Sequence, residues 1–175
     1  MNCWQRWQIL QMQSPHSSST AEQSEQKSTG SFNPVLLSFG GNLDGTMERF
    51  ERALRRLSMS GFNVLKVSGP LVNPAVGCEP GAGDFTNISV LGDWNGTPLE
   101  LLDLTQSIEV EEGRPADHPH WVSRTIDIDI ILMGFQTIDH PRLKVPHPLA
   151  ASRDFVLVPS REILPQELMR FLEKA

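Results

Sequence analysis

Asp127 and Asp129 are separated by one residue in the alternating segment RTIDIDIIL, and their type and spacing could bind a cation. In a β-strand, side chains two residues apart project to the same face, with Cα atoms ~7 Å apart. Both carboxylates then point to one side, while Ile126, Ile128 and Ile130 enter the core. Such a pair could hold one or two magnesium ions, which prefer carboxylate oxygens together with substrate phosphates. A solvated strand face is the alternative interpretation, because a D-x-D match is short and frequent.

The polar loop before this strand carries side chains that could contact an anion. Arg114 and Arg124 lie at its two ends, and a guanidinium can form paired hydrogen bonds with phosphate oxygens. Trp121 lies in the same loop, where a large aromatic side chain has no core to enter, so it could pack over a ligand. We interpret this loop as a lid that would exclude water from reacting phosphates. For either arginine alone, an ordinary surface charge is the alternative.

A third polar group lies further along, in the segment VPHPLAASRDFVLVP. It contains His147 and Arg153, and it places Phe155 on what we expect to be a further short strand. A single histidine is more often structural, but His147 stands out because of the residues around it.

These side chains need a scaffold, and hydrophobic periodicity predicts one. A buried first strand runs from Pro34 through VLLSFG and ends at Gly40 and Gly41. The segment TMERFERALRRL has apolar residues at helical spacing, with Thr46 or Asp44 as the candidate N-cap. The segments FNVLKVSGPLV and FTNISVL are typical of a pair of strands, separated by the irregular loop NPAVGCEPGAGD.

A second helix is indicated by its start signals. Thr97 is a cap, Pro98 is a first helical residue, Glu100 completes a capping box, and the helix should end at Gly113. With the RTIDIDIIL strand the order becomes β-α-β-β-α-β, which predicts an α+β, ferredoxin-like core: an antiparallel sheet with both helices packed on one face. We expect further short helices near PLAASRD and in PQELMRFLEKA.

Length and composition limit the classes of protein. The chain has 175 residues, 39% of them hydrophobic, which is enough for one domain with a core. We place this domain at 34–175 and expect the Ser/Gln-rich residues 1–33 to be a disordered extension. The formal charge of -6 should repel nucleic acid, so a phosphate ligand needs a local basic pocket or bound cations. We expect no membrane partner, since no apolar run approaches the ~20 residues of a membrane-spanning helix. The two cysteines, Cys3 and Cys78, cannot build a disulfide framework and fit a reducing cytoplasm. We expect a cytoplasmic monomer.

The motifs together resemble the 6-hydroxymethyl-7,8-dihydropterin pyrophosphokinases of folate synthesis. The strings that match in order and spacing, from Pro34 to Pro165, are SFGGNL, NPAVG, DFTN, TQSIEVEEGR, HWVSRTIDIDIILMG and VPHPLAASRDFVLVPSREILP. The most specific of them contain the patterns R-T-x-D-x-D-I and V-P-H-P-x-x-x-x-R-x-F-V-L. The resemblance implies transfer of pyrophosphate from magnesium-bound ATP to a pterin alcohol, giving AMP and the pterin diphosphate.

The resemblance also implies a role for each matching residue. The catalytic residues would be Arg114, Arg124, Asp127 and Asp129, with the two aspartates holding two magnesium ions. The nucleotide would be lined by Gln106, Glu109, Trp121, Ile130, Arg142, His147 and Arg153. The pterin would be bound by Asn73, Pro74, Val76, Phe85, Asn87 and Phe155. The chemistry agrees, because a flat bicyclic ring favours aromatic faces and an amide that can read its donor and acceptor edge.

The loop departs from the family pattern. Ala116 replaces a second arginine, His120 replaces a basic residue before the tryptophan, and Val122 and Ser123 replace Gly-Pro. The lid is thus less cationic and differently hinged. Two alternatives follow: a catalytically weak pterin- or nucleotide-binding homologue, and a ferredoxin-like interaction domain without enzymatic activity. Binding of ATP and pterin without turnover would favour the first, and no binding of either would favour the second.

Overall fold

An antiparallel sheet drawn from both halves of the chain forms the centre of the fold. The computed structural model describes residues 33–74, 83–113 and 125–175. The strands of the sheet are β1 (Pro34–Gly41), β2 (Asn63–Val67), β3 (Leu71–Asn73), β4 (Phe85–Asp93) and β5 (Asp127–Met133). Their order is β2-β4-β1-β5, and β3 also pairs with β4. Every pairing is antiparallel, as predicted.

Two helices, α1 (Thr46–Met59) and α2 (Pro98–Glu111), pack on one face of this sheet. Phe39 of β1 and Phe50 of α1 meet edge to face, with ring centroids 5.6 Å apart. Arg52 and Glu112 join the two helices through an ion pair with an N–O distance of 2.6 Å. The α+β class is therefore confirmed, and the β-α-β-β-α-β order holds when β2 and β3 are counted as the one strand predicted between α1 and β4.

The predicted strand FNVLKVSGPLV is wrong as a single strand, because the structure divides it into β2 and β3. The chain turns away from β4 at Gly69 and Pro70, after a last backbone hydrogen bond from the Ser68 N–H to the Ser89 carbonyl at 2.9 Å. Proline has no N–H to donate to a ladder. The N–H of Gly69 is donated instead to a carboxylate oxygen of Glu162, at 2.7 Å.

The two helix starts were predicted with different success. The capping box of α2 is confirmed: the Thr97 hydroxyl accepts the Glu100 N–H at 3.2 Å, and the Glu100 carboxylate accepts the Thr97 N–H at 2.7 Å. The predicted cap of α1, Thr46 or Asp44, is wrong. The N-cap is Gly45, which has a φ of 77°. Thr46 is instead the first helical residue, and its hydroxyl donates to the Leu43 carbonyl at 2.6 Å.

The C-terminal segment covers part of the opposite face. It contains a short ribbon of β6 (Ile138–His140) and β7 (Leu143–Val145), a 3-10 turn (Ala150–Ser152), α3 (Asp154–Ile163) and α4 (Gln166–Leu172). Its helices enclose an apolar cluster with the sheet residues Leu36, Leu91 and Leu132. Leu36 lies opposite Leu91 on β4 and opposite Leu132 on β5, so the three share one face. We call the whole buried group the C-terminal apolar cluster; its members are Leu36, Leu91, Ile131, Leu132, Ala150, Val156, Leu157, Ile163, Leu168, Met169 and Leu172.

The short strand predicted for Phe155 is wrong, because this residue lies in α3. The sequence VLV suggests alternation, but the buried residues Val156, Ser160 and Ile163 recur at helical spacing against the sheet. Packing on the C-terminal apolar cluster therefore overrides the local β-propensity of the valines. The helices expected near PLAASRD and in PQELMRFLEKA are confirmed as the 3-10 turn and α4.

The predicted disordered extension, residues 1–33, lies outside the described residues except for Asn33. The N–H of Asn33 donates to a carboxylate oxygen of Asp93 at 2.7 Å. Among the described helices, none has the length and apolar character needed to cross a membrane.

Replacing Thr97 by Ala should lower the free energy of unfolding by about 1 kcal/mol, because the first turn of α2 loses its side-chain cap. Thr97→Ser should be close to the wild type. The Thr97 backbone N–H, and then its hydroxyl, hold the pKa of Glu100 below its ordinary value. The hydrogen bonds of the Glu100 carboxylate stabilise the fold fully above its ordinary pKa, and this contribution is lost as the pH falls through the lowered pKa. The difference in free energy of unfolding between the wild type and the Ala variant should therefore shrink over that pH range. Urea titrations at several pH values measure this, and equal stability of the Ala and Ser variants would contradict it.

Candidate active site

The register of β1 brings residues from three strands into two rows on the face opposite α1 and α2. Gly40 lies opposite Asn87 on β4 and opposite Asp127 on β5. Ser38 lies opposite Asp129 in the same way. Directly opposed residues in an antiparallel sheet point to the same face. The two aspartates and Asn87 are therefore on one face, with a glycine between Asn87 and Asp127.

The orientation expected of the Asp-x-Asp strand agrees with the burial. Ile126 is 0% exposed and Ile128 and Ile130 are each 4% exposed, whereas Asp127 and Asp129 are intermediate. Within the described ranges, no group of three or more His, Cys, Asp or Glu side chains could hold a metal ion. Two carboxylates still fit magnesium, since this ion usually keeps several waters and binds one or two carboxylates plus substrate phosphates.

Glu109 of α2 holds the strand between the two aspartates. Its side-chain oxygen accepts the N–H of Ile128 at 2.6 Å, and the residue is 8% exposed. The resemblance places Glu109 at the nucleotide, and the structure adds this contact with the backbone of β5. A buried amide and a buried carboxylate would both be costly without a partner. Gln106, one turn earlier on the same helix, is exposed.

Asn73 and Asn87 form a hydrogen-bonded pair of side-chain amides, which we call the amide pair. The Asn87 Nδ2 donates to the Asn73 Oδ1 at 2.6 Å, and Asn73 also donates to the Pro74 carbonyl at 3.4 Å. Asn87 is 4% exposed. A Cβ on Gly40 would lie 3.0 Å from the Asn87 Oδ1, so the glycine makes room for this amide. Phe85 lies opposite Asn73 on the same face and is half-buried.

Phe155 and Arg153 meet where α3 begins. Phe155 is half-buried against the C-terminal apolar cluster. The Arg153 guanidinium carbon lies 5.4 Å from the centroid of the Phe155 ring, in a cation–π contact. One residue expected at the nucleotide and one expected at the pterin are thus in contact.

His147 lies against the outer side of β5. The backbone N–H of His147 donates to the Ile131 carbonyl at 3.0 Å, and the ring Nδ1 accepts the backbone N–H of Leu149 at 3.2 Å. Because Nδ1 is an acceptor, the neutral ring carries its proton on Nε2 and can donate from that side. The Val145–Pro146 peptide just before it is cis.

Of the remaining residues predicted for the site, some lie in the part of the chain that the structure describes and the others lie outside it. Arg142 is placed in the turn between β6 and β7, where it forms an exposed ion pair with Asp103 of α2. Ile130 is buried on the side of β5 that faces the core. The predicted residues Val76, Arg114, Trp121 and Arg124 lie outside the described residues, as do Ala116, His120, Val122 and Ser123.

Two features near the predicted site residues were not predicted from the sequence. Asn42 is 9% exposed, and its Nδ2 donates to the Gly83 carbonyl at 3.4 Å, which links the end of β1 to the segment before β4. Its position directly after Gly40 and Gly41 was the available signal. The second is a buried pair of serines, Ser89 and Ser160, whose Oγ atoms are 3.0 Å apart. A serine in an apolar strand gives no signal of a partner 71 residues away.

Comparison with known proteins identifies relatives along most of the chain. The 7,8-dihydro-6-hydroxymethylpterin-pyrophosphokinase (HPPK) family matches residues 36–165. A protein of Pseudomonas aeruginosa named 2-amino-4-hydroxy-6-hydroxymethyldihydropteridine pyrophosphokinase is 36% identical over 140 residues, which are 75% of this chain and 80% of that protein. The protein of the same name from Bacillus subtilis is 36% identical over 135 residues, or 77% and 80% of the two chains. A folate synthesis bifunctional protein of Arabidopsis thaliana is 30% identical over 139 residues, or 79% of this chain and 28% of that one.

Replacing Glu109 by Ala should lower the free energy of unfolding by about 1–3 kcal/mol, because the N–H of Ile128 is left without an acceptor. Glu109→Gln keeps an acceptor oxygen and should lose much less. Glu111→Ala, at an exposed ion pair of the same helix, serves as the matched control and should change stability little. Chemical denaturation of the three variants compares them, and equal losses in the Glu109→Ala and Glu111→Ala proteins would refute the role of the buried contact.

Proposed function

Since this chain belongs to the HPPK family and is a pyrophosphokinase of folate biosynthesis, we propose that it binds its two substrates side by side on the sheet face of Asp127 and Asp129. The substrates are ATP and 6-hydroxymethyl-7,8-dihydropterin, and magnesium would accompany the ATP. One observation carries this placement: the β1 register sets Asn87 and Asp127 on either side of Gly40. An amide suited to a pterin edge and a carboxylate suited to a phosphate-bound cation are then neighbours across a residue without a side chain.

The pterin would lie at the β3–β4 side of this face. The amide pair offers both donors and acceptors, which match the alternating edge of a pterin ring. Phe85 on β4 and Phe155 on α3 supply aromatic surface for stacking. Asn87 is held in one orientation by Asn73, so less side-chain entropy is lost when the ring binds. Pro74 and Val76 complete the proposed set.

The nucleotide would lie at the β5 side. Asp127 and Asp129 together would hold magnesium, since both carboxylates lie on the same face of β5. When bound, the ion neutralises charge on the phosphates. Arg114 and Arg124 would form hydrogen bonds with the group in transit. Gln106, Glu109, Trp121, Ile130, Arg142, His147 and Arg153 would line the rest of the site.

The reaction requires attack at the middle phosphorus of ATP. The hydroxymethyl oxygen of the pterin forms a bond to the β-phosphorus, and the bond from that phosphorus to the oxygen bridging to the α-phosphorus breaks. AMP leaves with this electron pair, and the hydroxyl proton passes to solvent. Positioning and electrostatics supply most of the rate in such transfers. The residues proposed here therefore act by aligning the two substrates and by stabilising charge on the leaving oxygen.

The nucleotide product should be AMP, with the pterin carrying both transferred phosphates. Phosphorus NMR of a completed reaction with ATP, magnesium and the pterin alcohol measures this directly. A diphosphate ester together with AMP supports the proposed function. ADP with a pterin monophosphate, or no reaction at all, would refute it.

Asp127→Asn and Asp129→Asn should each reduce kcat by several orders of magnitude, because a neutral amide binds the cation at the phosphates weakly. Their melting temperatures should stay close to that of the wild type. Asp139→Asn on the exposed ribbon removes a carboxylate paired with Lys144 and is the matched control. Wild-type turnover in either site variant would exclude the proposed metal ligands.

A further inference from the structure

A chain of buried hydroxyl groups ties α3 to the centre of the sheet. The Ser160 Oγ lies 2.6 Å from the Val156 carbonyl oxygen and 3.0 Å from the Oγ of Ser89 on β4. Both serines are 0% exposed. A hydroxyl has a single proton, so when Ser160 donates to Val156, Ser89 donates to Ser160. The chain therefore runs in one direction, from the sheet into the helix. We call Ser89 and Ser160 the serine pair.

Pro159 makes this tie important for the first turn of α3. It lies inside the helix and has no N–H, so the carbonyl of Phe155 receives no hydrogen bond from the residue four positions later. The bond from the Ser160 hydroxyl to the Val156 carbonyl adds an attachment at the next residue. The turn that carries Phe155 is thus held partly by the sheet and less by the helix itself.

Glu162 forms a second tie, at the far end of the same helix. Its carboxylate accepts the N–H of Gly69 at 2.7 Å, at the corner between β2 and β3. From this corner β3 continues to Asn73, which belongs to the amide pair. The helix is therefore fixed to β4 through the serine pair and to the start of β3 through Glu162. These are the two strands that carry the amide pair.

We propose that the serine pair and Glu162 are positioning residues that set the distance between Phe155 and the amide pair, and so the fit of the pterin ring. This inference rests on the proposed function, since it takes these residues as the walls of the pterin site. A matched pair of buried hydroxyls adds little net stability, and replacing both by apolar groups can be nearly neutral. Their directed hydrogen bonds fix a geometry that apolar packing alone leaves looser.

The double variant Ser89→Ala/Ser160→Ala tests this directly, because neither hydroxyl is left without its partner. Calorimetry would measure binding of the pterin at saturating magnesium and non-hydrolysable ATP analogue, and binding of the analogue alone. We expect the Kd of the pterin to rise about fivefold or more, which corresponds to ~1 kcal/mol. The Kd of the analogue and the melting temperature should stay close to the wild-type values.

Variants of Glu162 provide an independent test in the same assay. Glu162→Ala should weaken pterin binding selectively, and Glu162→Gln should restore it because the amide oxygen can still accept the N–H of Gly69. Glu167→Ala, an exposed change in the first turn of α4, is the matched control.

Unchanged pterin binding in the double variant would overturn the proposal, and so would a parallel loss of pterin and analogue, because that indicates general loss of structure. Failure of the wild type to bind the pterin would overturn both this proposal and the proposed function. A wild type that binds pterin and releases AMP, with variants that behave like it, would overturn this proposal alone.

Discussion

The pairing of β1 with β4 on one side and β5 on the other is the constraint on which the proposed site depends. β1 is central, and its residues alternate between the face of α1 and α2 and the opposite face. Phe39 packs on α1, while its neighbours Ser38 and Gly40 face the other way. A slip of one residue in either ladder would move the aspartates or the amide to the opposite face. The buried residues on the helix face therefore fix the register that the polar face uses.

The polar face is divided along its length by the C-terminal helices. At one end, Leu36 and its partners on β4 and β5 are covered by α3 and α4. At the other end, Gly40 lies between Asn87 and Asp127, and Ser38 in the next row lies opposite Asp129. Ser89 of the serine pair lies in the row of Ser38 and Asp129, next to the row of Leu36, and there it contacts Ser160 of α3. The helix α3, which completes the core, thus also places Phe155 at the edge of the proposed pterin site.

The outer edge of β5 is held by side chains and loops because no further strand of the described sheet pairs with it. Glu109 accepts the N–H of Ile128, and the N–H of His147 is donated to the carbonyl of Ile131. An edge strand with unpaired backbone groups is free to shift or to pair with another chain. These two contacts stabilise the backbone on both sides of Asp129, which the proposed phosphate site requires.

Features with a local cause could be predicted from the sequence. The alternation around Asp127 and Asp129, the helical spacing of α1 and the capping box of α2 each depend on residues a few positions apart, and each was confirmed. The contacts around the proposed site depend on partners that only folding brings together. The amide pair joins residues 14 apart, Glu109 and Ile128 are 19 apart, and Glu162 and Gly69 are 93 apart. The helical state of Phe155 has the same origin, because the valines beside it favour a strand locally and burial against the sheet decides the outcome.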